Sequence, residues 1–364
     1  MNRKQFISTI AGAAASTVIG ANAAMSSAAA ASSQEAPKHK VKRGVSLYSY
    51  QWALMEKGWN LEDCLEEAGD IGAYGIEFML HAMKSEYPNV SNKWIDNWWA
   101  MMDKFGTIPV CYCHFGDFYR QRDGIMSLDD SVEYATWNFK LAKQLGLTKV
   151  RGFGRHDAME RLIPVAEKLG MWIGQEIHAP ATLQNNKMND KVLKLAQKYP
   201  DTVGFVPDMG IFQKYPRPLN REIQIREGKL TRDTALYIED AYKKGTDKAA
   251  VAEKLKGMNP KPGDTAYVDT VFRAGDALQN PKDLIPLIPY CKHIHGKCWE
   301  MTPGNEFDDT SILYKDVVPV LMANGFDGYI CTEFEGQRMG TILDIDEIDQ
   351  VRRHQVMLKR LLGV

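Results

Sequence analysis

The stretch Gly174 to Pro180, GQEIHAP, ends a short apolar run with a carboxylate and an imidazole two residues apart. Side chains two apart on a β-strand share a face, so Glu176 and His178 are expected to project into one space as a metal-binding or acid–base pair. Alone, an E-x-H triplet is common by chance and reads first as a hydrogen-bonded strand end. Its weight comes from three similar strand ends that follow: Asp208 in GFVPDMG, His293 and His295 in CKHIHGK, and Glu333 in YICTEFEG.

The elements that must position these residues are legible as an alternation. Apolar β-rich runs at 44–48, 75–79, 108–113, 149–153, 171–177, 202–207, 292–297 and 328–333 are separated by helical patterns, several closing on a glycine just before the next strand, as at Gly106, Gly146, Gly170 and Gly325. Eight strands alternating with eight helices predict an α/β fold, a (β/α)8 TIM barrel, rather than an open doubly wound sheet; no G-x-G-x-x-G follows the first strand. In such a barrel the C-terminal strand ends open onto one pocket. Glu176, Asp208, His295 and Glu333 end the fifth to eighth strands, and three carboxylates with one imidazole form a hard, mostly oxygen site. That donor set suits Mn²⁺, the expected ion, and also Mg²⁺, Co²⁺ or Zn²⁺. A divalent ion there fits sugar chemistry, because it can clamp a hydroxyl and an adjacent carbonyl and stabilise the enediolate formed when the intervening carbon loses its proton.

One connection breaks the rhythm. Residues 213–279, between strand 6 and a sixth helix expected at 282–288, contain a Pro-rich start, a charged helical run over 230–256 and a second Pro-rich segment, and read as a helical insertion. Leaving a strand's C-terminal end, it is expected to act as a lid or partner-contacting flap, with substrate contacts from Tyr215, Arg217 or Arg273.

The 364 residues balance 45 Lys and Arg against 46 Asp and Glu, so no basic field exists to attract nucleic acid. Residues 1–33 differ: Arg3 and Lys4 precede a modestly apolar stretch and an Ala/Ser tract, the pattern of an export signal with a twin-arginine-like start in which Arg-Lys replaces Arg-Arg. A periplasmic or exported location follows as the expectation, with 34–41 a linker and 42–364 the barrel. The cysteines lie mostly in or beside strands, which suggests core packing rather than a disulfide framework.

Taken together, GIEFM around Glu77, QEIH around Glu176, VPDMG around Asp208, KHIHGK around His295 and GYICTEFEG around Glu333 resemble the xylose-isomerase-like TIM barrels, a family that includes sugar phosphate isomerases and epimerases, ketose 3-epimerases, inosose dehydratase and the catalytic subunits of C-glycoside deglycosidases. The resemblance implies that Glu176, Asp208, His295 and Glu333 bind the metal, and it favours the second histidine of KHIHGK, leaving His293 as a packed residue. Ketose 3-epimerases commonly place a His three positions after the metal Asp, where this chain has Ile211. The implied activity is metal-dependent isomerisation or epimerisation through an enediolate, with Glu176, His178 and Glu333 as the catalytic residues. The alternative is a lyase or dehydratase acting on 3-keto-glycosides, in which His178 removes the C2 proton and the aglycone leaves by β-elimination. A non-catalytic sugar-binding barrel is the third reading. His114, Glu77, Lys297, Trp52, Trp299 and Arg217 are the expected contacts to a sugar or glycoside, and a second copy or second subunit is expected against the insertion.

Overall fold

The computed structural model describes residues 41–79, 87, 89–114, 126–152, 156–336 and 345–364. The expected export signal, and the linker up to Lys40, lie outside these residues. Eight parallel strands form one sheet: β1 (Lys42–Ser46), β2 (Gly75–Phe78), β3 (Ile108–Cys113), β4 (Lys149–Arg151), β5 (Trp172–Ile177), β6 (Val203–Pro207), β7 (His293–Cys298) and β8 (Tyr329–Phe334). Their order runs β6-β5-β4-β3-β2-β1-β8-β7, and parallel bridges Phe205 to Cys291 and Asp208 to His295 bring the two ends together, so the sheet closes as a TIM barrel. The second bridge fixes two of the expected ligands side by side.

The helices run α1 (Gln51–Glu56), α2 (Leu61–Asp70), α3 (Asn92–Phe105), α4 (Leu128–Gln144), α5 (His156–Leu169) and α6 (Lys187–Lys198) before the insertion. After β7 come α11 (Tyr314–Ala323) and α12 (Glu347–Leu362). Local signals place them. Asn60 and Ser127 cap α2 and α4 with full capping boxes, while Gly106 ends α3 in the left-handed region at φ 65°. Outward-facing strand residues pack on these helices: Phe78 stacks on Trp98 at 4.7 Å, and the Trp98 indole donates to the Leu145 carbonyl at 2.9 Å. The six cysteines are free and buried, consistent with packing.

Some elements of the barrel differ from the expectation. The first strand stops at Ser46, and Leu47–Tyr50 forms a 3₁₀ turn whose Ser49 hydroxyl bonds the Thr332 carbonyl. The helix expected at 282–288 is absent. Pro281, Pro286 and Pro289 each remove a backbone donor, so the segment folds as two 3₁₀ turns, Pro281–Leu284 and Ile288–Tyr290.

The insertion has a core of its own. Its helices α7 (Pro218–Arg226), α8 (Arg232–Lys243), α9 (Lys248–Lys256) and α10 (Pro262–Phe272) enclose Leu230, Ile238, Val251, Leu255, Val268 and Val271. The charged run read as one helix is thus two, broken after Lys243 where Gly245 takes φ 71°. A link to the barrel lies at its entry, where the Lys214 amide donates to the Ser311 carbonyl at 2.9 Å and Gln213 bridges Ile312.

Candidate metal centre

Strand alternation sets a vertical series inside the barrel. His293, His295 and Lys297 of β7 are two apart, so they occupy successive rungs of one inward face, and all three are buried. Glu333 of β8 lies opposite Lys297 in register, and Asp208 pairs with His295 across the closing bridge. Glu176 arrives from β5. The ligand atoms of Glu176, Asp208, His295 and Glu333 all lie within 4.8 Å of one another, a grouping that can hold a metal ion.

The VPDMG motif acquires a physical reason here. Asp208 caps the 3₁₀ turn Met209–Phe212, its Oδ1 accepting the Gly210 amide at 2.6 Å, which leaves Oδ2 turned into the cluster. A β-carbon at Gly210 would meet Asp208 Oδ1 at 2.8 Å, so the close approach requires glycine.

Two cations brace the carboxylates. Lys297 Nζ lies 2.9 Å from Asp208, 2.7 Å from Glu333 and 2.9 Å from Glu335. Arg151, at the end of β4, reaches Glu176 at 3.0 Å, Glu333 at 3.5 Å and Glu77 at 3.9 Å. Five buried or part-buried carboxylates thus face two permanent cations. The excess negative charge is what a divalent cation would offset. Burial disfavours the charged form of Glu176, yet Arg151 and His295 hold its carboxyl down to about 2. Asp208 moves the other way, because its burial outweighs the help of Lys297.

The donor set fits a metal on geometry as well. Asp208 Oδ2 and His295 Nδ1 are both buried, the first paired with Lys297 Nζ at 2.9 Å and the second 2.9 Å from Glu176 and 3.3 Å from Glu333. Both atoms belong to the four-residue group, and its mix of three carboxylates and one imidazole is a donor set that fits a divalent ion. Burial favours the neutral His295 ring, but Glu333 and Glu77 hold it charged well above the ordinary histidine range. Coordination needs the neutral ring. Metal uptake near pH 7 is therefore expected to release about one proton, and affinity to fall as pH drops. Calorimetric titration in buffers of different ionisation enthalpy reads this directly.

His178 lies just past β5, half-exposed, so it reaches the cluster from the turn rather than along a shared strand face. Its Nδ1 is 2.6 Å from the Ala179 carbonyl, which fixes that nitrogen as the donor and leaves the Nε2 lone pair free, 3.9 Å from Asp208 Oδ2.

The residues expected to contact a sugar take varied positions. Glu77 is fully buried and bonds Ser46 Oγ at 2.9 Å, His293, and His295 at 2.9 Å, so its carboxylate is taken up by groups inside the barrel. Trp299 is also buried; the Arg217 guanidinium covers its ring at 3.3 Å, so the surface offered to a ligand is Arg217. Arg217 Nε donates to Gln213 at 3.2 Å, and the charges of Glu335, Asp208 and Asp309 act on it. Lys297 meets the carboxylates rather than open solvent. His114 is buried beside Tyr112, Tyr134 and Phe139, and Trp52 is half-buried on α1. Arg151 was not anticipated; its signal was a lone cation ending β4, subject to the same strand-end rule as Glu176.

No family model matches the chain. It is similar to a C-glycoside deglycosidase alpha subunit of Arthrobacter globiformis, 23% identical over 334 residues, covering 88% of this chain and 92% of the relative. It is likewise similar to a 3'-dehydrocarminate deglycosidase alpha subunit of a Microbacterium species, 25% identical over 347 residues and covering 88% and 95%. Among solved structures, a sugar phosphate isomerase/epimerase from Parabacteroides distasonis superposes with a TM-score of 0.50 at 13% identity, covering 91% of this chain and 96% of that one.

Proposed function

We propose that the chain, a TIM barrel similar to C-glycoside deglycosidase alpha subunits, is a xylose-isomerase-like, metal-dependent lyase that removes the aglycone from 3-keto-glycosides. The observation that carries the reading is the four-residue cluster with His178 Nε2 at its mouth. Two deglycosidase relatives, one named for a 3'-dehydro compound, favour elimination over isomerisation. Mn²⁺ is the proposed ion. When bound by Glu176, Asp208, His295 and Glu333, it supplies Lewis acidity to the ketone oxygen and so acidifies the neighbouring C–H.

The protein's own groups do the rest. His178 takes the C2 proton on Nε2; the C2–H pair becomes the C1=C2 bond, and the C1–aglycone bond breaks with its electrons leaving on the aglycone. Imidazolium then returns the proton to the departing group. Nδ1, held by the Ala179 carbonyl, keeps the ring in the tautomer that this requires. Lys297 and Arg151 keep the carboxylates oriented, and Arg217, braced on Trp299, faces the glycoside's outer part. The insertion is proposed as the face for a second subunit, in keeping with the "alpha subunit" names of the relatives. Export of the protein remains part of the proposal, since a glycoside-directed enzyme suits a periplasmic site.

Incubation of the metal-loaded protein with a 3-keto-glycoside is expected to release aglycone, and incubation with free ketoses to give no epimer. Epimer formation without aglycone release would move the reading to isomerisation, which begins with the same proton abstraction.

A further inference from the structure

We infer that Glu77 is a positioning residue that sets which nitrogen of His295 faces the metal centre. The inference rests on the reading of that centre as a metal site. His295 is completely buried and presents its two nitrogens to different partners: Nε2 lies 2.9 Å from Glu77 Oε2, while Nδ1 points at Glu176 and Glu333. A neutral imidazole carries one N–H and one lone pair. With Glu77 ionised and acceptor-only, Nε2 must carry the proton, and the lone pair is directed from Nδ1 into the cluster. A carboxylate behind a ligating histidine also raises the ring's basicity as a ligand.

Glu77 is itself held from several sides. Its Oε1 accepts the Ser46 hydroxyl at 2.9 Å and lies 3.9 Å from Arg151, and its Oε2 is shared with His293. Ser46 and Glu77 are register partners on β1 and β2, so the carboxylate is fixed by two neighbouring strands of the barrel wall. It is fully buried, which removes water as a competing partner for the His295 proton. The other histidine of the KHIHGK motif, His293, lies one rung deeper, shares the same Glu77 oxygen and packs edge-on against the His295 ring at 5.5 Å. The fold thus places a carboxylate, rather than water or a backbone carbonyl, behind the histidine.

The test uses metal alone. Glu77→Gln keeps the shape and removes the charge, and is expected to weaken Mn²⁺ binding by about 10- to 100-fold, read from free Mn²⁺ in EPR titrations. In the Zn²⁺-loaded wild type labelled with ¹⁵N-histidine, the ring signals of His295, assigned through their loss in His295→Gln, should show Nε2 protonated and Nδ1 bound. This second measurement decides the matter even if Glu77→Gln fails to fold. A His295 ring bound through Nε2, or a folded Glu77→Gln with wild-type Mn²⁺ affinity, would overturn the inference. A wild type that binds neither ion would instead overturn the metal site itself, so the two failures are distinct.

Discussion

Glu176→Gln and Asp208→Asn are each expected to leave a folded barrel that carries little divalent metal and has lost about 10³-fold or more in kcat/KM, because a Lewis acid at a developing oxyanion contributes several kcal/mol. The effect should exceed that of any change at the rim. Each substitution removes one of only four ligands. It also removes one negative charge from a cluster in which carboxylates outnumber the cations that brace them, so the remaining groups attract a divalent ion less strongly. Arg151 and Lys297 keep other partners in both variants: Glu333 and Glu77 for the arginine, Glu333 and Glu335 for the lysine. Neither cation is stranded, which is why the fold should survive. Elemental analysis after gel filtration, together with melting curves, checks both halves of the expectation. Full metal occupancy in both variants would remove these residues from the ligand set.

His178→Ala is expected to separate chemistry from metal binding. The side chain is half-exposed and approaches Asp208 no closer than 3.9 Å, so its removal should leave metal content and melting temperature unchanged. Loss of a positioned general base typically lowers kcat by about 10²- to 10⁴-fold. Retained turnover would move proton transfer to another group.

These two predictions rest on residues that the sequence exposed well, and the reason is geometric. A residue that ends a strand in a parallel barrel has few places to go, so Glu176, Asp208, His295 and Glu333 could be grouped without coordinates, and the closing bridge between Asp208 and His295 brings that grouping about. Which groups take up a strand-end carboxylate was less legible. Glu77 also ends a strand pattern, yet its carboxylate is taken up inside the barrel by His293 and His295. Trp299 follows β7 as expected, but its exposure depended on Arg217, which arrives from the insertion more than eighty residues earlier in the chain. Arg151 is illegible for a different reason: an arginine at a strand end carries no ligand signal of its own, and its role exists only because a dense carboxylate cluster needs cations to hold it. At 282–288 helical spacing outweighed three prolines, and the prolines decided the local structure.

The most direct test of the account is the fate of a single hydrogen. With a 3-keto-glycoside deuterated at C2, the metal-loaded protein is expected to release aglycone with a primary isotope effect, to lose the C2 deuterium in step with that release, and to stop when the metal is chelated. Aglycone release at an undiminished rate after complete metal removal, or a substrate recovered intact with its C2 deuterium in place, would contradict metal-assisted proton abstraction by this site.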